Sequence, residues 1–188
     1  NQLKPKLNSQ MKTIFNQRTV LSFLLFFSLS LGVSIAQTDD VVIVDSDFPN
    51  KGGLIASLPV NVTLIEAETS TTLAQNLKHA IADNPNLKSI HLFAPSAEAS
   101  INLGGSSYSA EAIGQQLKQE DFQTDQNITV FVYSCTLAKS PEGRSLLENI
   151  ASGTGFNVAS SSNCDDMGEE LAFDFSIRPL STTKTIFD

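Results

Sequence analysis

Apolar residues in this chain alternate between short unbroken runs and helical spacing. Val41-Val-Ile-Val44 is an unbroken run closed by Asp45-Ser-Asp47, the pattern of a strand buried on both faces. Residues 48–53 form a turn cluster rich in Pro, Asn and Gly, and a short helix is expected over 53–58. Residues 60–65 read as a second strand. Over 69–82, Leu73, Leu77, Ala80 and Ile81 share one helical face. Ser70 or Thr71 is placed to cap that helix, and Asn84-Pro85-Asn86 stops it. Residues 87–93 are the third strand.

The second half repeats the alternation. Ser100-Ile-Asn-Leu103 and Ser106-Ser-Tyr108 flank Gly104-Gly105, and paired glycines fit the tight turns of a hairpin. Ser109 caps a helix through Leu117, and residues 121–126 are a polar loop. Residues 128–133 form a fourth core strand that delivers Cys135. Pro141 opens a helix to about Ala151 with Leu146, Leu147 and Ile150 on its core face, and Gly153 or Gly155 ends it. Residues 156–159 are a short strand. Residues 171–177 alternate as a half-exposed or edge strand. The expected architecture is α/β: a doubly wound, mostly parallel sheet with helices on both faces and a hairpin inserted after the third strand.

The N-terminal stretch departs from this plan. Met11 is followed by Lys12 and Arg18, by an apolar run from Val20 to Val33, and by Ser34-Ile35-Ala36, a small-residue cleavage site. Residues 11–36 therefore read as an export signal, and residues 1–10 as a leader extension ahead of Met11. At about 14 residues the apolar run is short of the roughly 20 a bilayer needs. The α/β domain is expected over 37–177, with 178–188 as a tail or linker.

Signal removal changes the charge. Four of the twelve basic residues precede Gln37, leaving eight against twenty carboxylates, so 8 − 20 = −12. Such a surface repels nucleic acid and anionic membranes. Both cysteines, Cys135 and Cys164, remain in the exported part, where one disulfide between them is permitted. No metal-ligand spacing, no glycine-rich phosphate loop and no cofactor motif is present.

The candidate chemistry centres on Cys135, at the carboxyl end of a buried strand, where α/β folds place their sites. It reads as a nucleophile beside Ser134 and nearby backbone amides, or as a small buried residue or half of a disulfide. Asp45 and Asp47 read either as crevice acids or as turn formers. His91, inside the third strand, is expected to be a satisfied structural histidine, and His79 a surface residue. Asp165-Asp166 and Glu169-Glu170 are expected to be a solvated acidic loop.

Taken in order, several segments resemble one family. They are Val41-Val-Ile-Val-Asp45, Ser89-Ile-His-Leu-Phe93, Ile101-Asn-Leu-Gly-Gly105, Val132-Tyr-Ser-Cys135, Gly143-Arg-Ser-Leu-Leu147 and Thr154-Gly-Phe-Asn-Val-Ala-Ser160. Together they are similar to the caspase-like domain of unknown function found near the N-terminus of large bacterial surface adhesins. The resemblance implies a third strand ending in Ser-His-Gly and a fourth ending in Tyr-Gly-Cys, a pair like the His/Cys dyad of caspase-type and gingipain-type peptidases. This chain keeps the cysteine as Cys135. It has Pro95-Ser96 in place of His-Gly and Ser134 in place of the second glycine. Proline cannot take a proton. His91 lies four residues upstream, about 13 Å along a strand, against the roughly 3 Å a proton transfer spans.

The expected function is thus an exported, non-catalytic caspase-like domain serving binding or presentation, with an unidentified protein or peptide partner at the cell surface. No cofactor, no nucleic acid and no membrane insertion after signal cleavage are expected. The alternatives are a cysteine peptidase using Cys135 with a relocated base, and a structural spacer of a larger adhesin.

Overall fold

Six strands form one sheet in the order β2-β1-β3-β7-β8-β9. They are β1 (Asp40–Asp45), β2 (Thr63–Ala67), β3 (Ser89–Phe93), β7 (Thr129–Val132), β8 (Asn157–Ser160) and β9 (Phe175–Ser176). All neighbours are parallel except β8 and β9. A separate antiparallel sheet holds β4 (Ser96–Ala97), β5 (Ser100–Leu103) and β6 (Ser106–Ser109). The computed structural model describes residues 39–162, 172–181 and 185–187, all within the unit Gln37–Asp188. The α/β class, the mostly parallel sheet and the hairpin after the third strand agree with the sequence expectation.

The two faces of the large sheet are covered differently. On one, Val41, Ile43, Ile90, Leu92, Val130, Val132 and Val158 pack against three helices. These are α2 (Leu73–Asp83), α3 (Ala110–Gln116) and α4 (Pro141–Thr154). Each fully buried aliphatic side chain there contributes about 1.5–3 kcal/mol. On the other face, Val42, Val44 and Phe93 meet Leu54 of the short helix α1 (Lys51–Ser57), together with Ile186. Phe131 and Ala159 meet Phe173 and Leu180. Helices therefore lie on both faces, but the second carries one short helix and segments from the C-terminal part of the chain.

Local chemistry sets the boundaries. Helix α2 begins at Leu73, not at residue 69, because Thr72 rather than Ser70 or Thr71 is its cap. The Thr72 hydroxyl accepts from the Gln75 amide, and the Gln75 side chain accepts from the Thr72 amide, a reciprocal capping box. Strand β2 begins at Thr63 rather than 60, because Pro59-Val60-Asn61 leads into it as a turn and leaves Val60 fully exposed. Helix α4 runs one turn past Ala151, to Gly155 in the left-handed conformation, φ 80°. The Thr154 hydroxyl donates to the Ile150 carbonyl in that added turn.

The edge strand expected over 171–177 is shorter. Residue 171 lies outside the described residues, and only Phe175–Ser176 pair with β8. Beyond them Asn157 replaces the ladder with its side chain. Its Oδ1 accepts from the Arg178 amide at 2.9 Å, and its Nδ2 donates to the Arg178 carbonyl at 3.2 Å. Residues 1–36, with the expected export signal and its cleavage site, lie outside the described residues, as does the acidic stretch 165–170.

Candidate functional site

Register brings the expected dyad positions together. In the parallel pair β3–β7, Leu92 lies opposite Val132. Pro95 and Cys135 each follow three residues later, at the carboxyl edge of adjacent central strands. The residue after Pro95 and the residue before Cys135 meet directly: Ser96 Oγ and Ser134 Oγ share a hydrogen bond of 2.8 Å. Thr136 Oγ1 lies 3.4 Å from each. From the end of β8, Ser160 Oγ reaches the Val132 carbonyl at 2.9 Å and the Ser134 carbonyl at 3.1 Å. Ser134 is only 3% exposed.

This arrangement leaves little for a nucleophile to use. The amides of Thr136 and Leu137, at the turn after β7, both donate to Ser134 Oγ at 3.3 Å. In a hydrolase such amides would be aimed at a developing oxyanion. Here they are committed to a side chain. Cys135 itself is disulfide-bonded, so it presents no thiolate, the species that attacks or binds metal. Cys164, the chain's other cysteine, lies outside the described residues. Among the described residues no group of three or more His, Cys, Asp or Glu is placed to hold a metal ion.

The small antiparallel sheet is clasped over the same edge. The Pro95 carbonyl accepts from the Asn102 amide at 2.8 Å. The Glu98 carbonyl accepts from Ser140 Oγ, the cap of α4. The hairpin tip is fixed by Asp45, 2% exposed, whose Oδ2 accepts from the Gly104 amide at 2.7 Å. Gly104 has φ +60°, and a Cβ there would run into the carbonyl oxygens of Thr71 and Glu68. Only glycine fits a turn that tight. Asp45 Oδ1 also accepts from the Asp47 amide at 2.9 Å. Of the two acids proposed from sequence, Asp45 is thus spent on holding the hairpin, and Asp47 is exposed beside it.

The histidines lie elsewhere. His79 is a surface residue, 2.9 Å from Asp83 on the next turn of α2. His91 is 4% exposed on the second face of the sheet. Its ring stacks on Phe131, centroids 5.2 Å apart. Its Nδ1 lies 3.0 Å from the Tyr133 hydroxyl and its Nε2 3.8 Å from Asp40 Oδ1. The His91 ring nitrogen facing it, above all, holds the Asp40 carboxyl below the usual carboxylate range, and outweighs the opposing effect of burial. The sequence reading took His91 as satisfied and missed its partners. Strict alternation along 128–133 already placed Phe131 and Tyr133 on its side of the sheet.

A cleft of about 860 Å³ lies at the opposite, amino edge of the strands, lined among others by Asp39, Lys88, Asn127, Thr129, Asn157 and Arg178. It shares no residue with the Pro95–Cys135 edge. No helix among the described residues is long and apolar enough to cross a membrane.

Comparison with known families adds one finding. The model of a domain of unknown function, DUF4347, matches residues 41–172. No curated protein matches the chain.

Proposed function

This chain belongs to the DUF4347 family, a domain of unknown function, and on that premise we propose that it is an exported, non-catalytic caspase-like module of a bacterial cell-surface protein. Its work is binding or presentation. The observation that carries this reading is the occupancy of the carboxyl edge. Pro95 stands where a general base would, and Ser96 and Ser134 bond to each other at 2.8 Å. The neighbouring amides are taken by Ser134, and Cys135 is in a disulfide. A base contributes about 10²–10⁴ in rate to such a reaction, and a nucleophile tied in a disulfide contributes nothing. We assign Cys164 as the partner of Cys135, since the sequence holds no third cysteine.

The test is labelling with thiol-directed peptide probes, before and after mild reduction. The unmodified protein is expected to stay unlabelled in both states beyond the rate of a free cysteine. Rapid, saturable labelling of Cys135 after reduction would favour the peptidase alternative, with a base supplied from elsewhere. The double variant Pro95→His with Ser96→Gly rebuilds the pattern the family resemblance implies, and it is expected to gain probe reactivity once reduced. The export and surface assignments are tested by the mass of the protein recovered outside the inner membrane, expected to begin at about Gln37. An intact start at Met11 there would contradict cleavage, and its recovery only from inside the inner membrane would contradict export.

A further inference from the structure

The loop that enters β7 carries chemistry of its own, at the opposite edge of the sheet from Pro95 and Cys135. It reads Asp125-Gln-Asn-Ile-Thr129. Asn127 and Thr129 stand two residues apart, and Ile128 between them is not proline. This is the tripeptide that accepts a glycan on its asparagine in exported chains. Asn127 is exposed, and among the described residues no hydrogen bond holds its carboxamide. Other asparagines here are spent on the fold: Asn157 clasps Arg178, and Asn84 Nδ2 donates to the Ala80 carbonyl.

We propose that Asn127 is the acceptor of an N-linked glycan, added while the chain is being exported, so that this inference rests on the export proposed above. The donor is an oligosaccharide joined through its C1 carbon to a lipid diphosphate. Asn127 Nδ2 bonds to that carbon, and the C1–O bond to the diphosphate breaks. The lipid diphosphate leaves with the bonding electron pair, and the amide nitrogen gives up one proton. The Thr129 hydroxyl is the group by which a transferase holds the tripeptide. The exposed Asp125 carboxylate, two residues ahead of the acceptor, gives that transferase a charged handle.

The fold sets the order of events. Ile128 is 1% exposed, and its carbonyl accepts from the Asn157 amide at 3.0 Å. The Thr129 amide donates to the Lys88 carbonyl at 2.9 Å. The folded tripeptide cannot be lifted into a transferase without breaking these bonds, so addition precedes the pairing of β7 with β3 and β8. The folded chain then has room for the glycan, because Asn127 lies in the open cleft at the amino edge, with Lys88, Asn157 and Arg178. A glycan there covers the amino edge and leaves the Pro95–Cys135 edge clear for a partner. A second such tripeptide, Asn61-Val-Thr63, also has an exposed asparagine, but Pro59 stands where Asp125 stands in the first. Asn61 is therefore expected to be bare.

Peptide mass mapping of the full chain, recovered from outside the inner membrane of its own host, tests this. Trypsin cuts after Lys118 and Lys139, so residues 119–139 carry Asn127 in one peptide, while the N-terminal peptide reports export separately. The 119–139 peptide is expected to be heavier by the mass of an oligosaccharide, and the peptide holding Asn61 to be unshifted. The added mass should vanish in Asn127→Gln and in Thr129→Val, and return in Thr129→Ser. Asp125→Asn should lower the glycosylated fraction several-fold. An exported chain with a bare 119–139 peptide would overturn the glycan and leave the export reading standing. Sugar mass that survives Asn127→Gln, or that sits on Asn61 instead, would also overturn it. A chain found only inside the inner membrane would overturn both.

Discussion

Two clusters of polar side chains in this chain differ in kind. At the carboxyl edge, Ser96, Ser134, Thr136 and Ser160 bond to one another and to main chain. None of those four titrates at any ordinary pH. On the second face, Asp40, His91 and Tyr133 form a row of a carboxylate, an imidazole and a phenol. The imidazole thus lies away from the Pro95–Cys135 edge. A hydroxyl cluster fixes geometry whatever the solvent does. In the other row one member, Asp40, has its carboxyl held below the usual carboxylate range by its surroundings.

The difference sharpens into expected effects. The largest follows reduction of the Cys135 disulfide. If Cys164 is the partner, the bridge closes a loop of roughly 30 residues, and its loss costs about 3–4 kcal/mol. Urea unfolding with and without reductant measures it. Unchanged stability on reduction would move the disulfide out of the account of this edge. Next comes Asp45→Ala, which leaves the Gly104 amide without its buried charged acceptor and should cost about 2–3 kcal/mol. Asp47→Ala, whose exposed carboxylate holds no such bond, should cost under about 0.5 kcal/mol. Equal losses at the two positions would mean that Asp45 does not latch the hairpin.

Ser134→Ala comes third, at about 1–2 kcal/mol, because the Thr136 and Leu137 amides lose their acceptor. Its effect should be the same at pH 5 and pH 8. A strong pH dependence there would erase the contrast between the two clusters. The smallest effect belongs to the other cluster. The Asp40 carboxyl is held below its ordinary value of 3.8 in the folded chain, chiefly by the His91 ring nitrogen that faces it. Its contribution to stability is therefore complete above about pH 3.8 and is lost as the pH falls through the lower, folded-state value. Asp40 is half exposed, so solvent screens the effect and it stays small. Asp40→Asn should flatten the stability profile below that pH, and an unaltered acid limb would remove the row's first member.

Much of this was legible in the residues. The unbroken run at 41–44 sits in a central strand with both faces covered. The Gly104-Gly105 pair makes the hairpin turn, with φ of 60° and 73°. The spacing of Cys135 and Pro95 after their strands predicts one shared edge, and the β3–β7 register delivers it. What the sequence hid depends on contacts between distant segments. Asp45 looks like any turn acid until Gly104, 59 residues away, brings its amide to the carboxylate. The turn before β2 looked like strand because Val60 is β-branched, yet Pro59 and Asn61 favour a turn and nothing packs on Val60. The short β9 was unreadable because its end is set by a side chain on a neighbouring strand.

That side chain has a consequence for how the chain leaves the sheet. The Asn157 carboxamide occupies both main-chain groups of Arg178, and Pro179, which follows, has no N–H to offer. A single carboxamide thus works as a clasp that holds the exit of β9 against β8 beyond the end of the strand pairing.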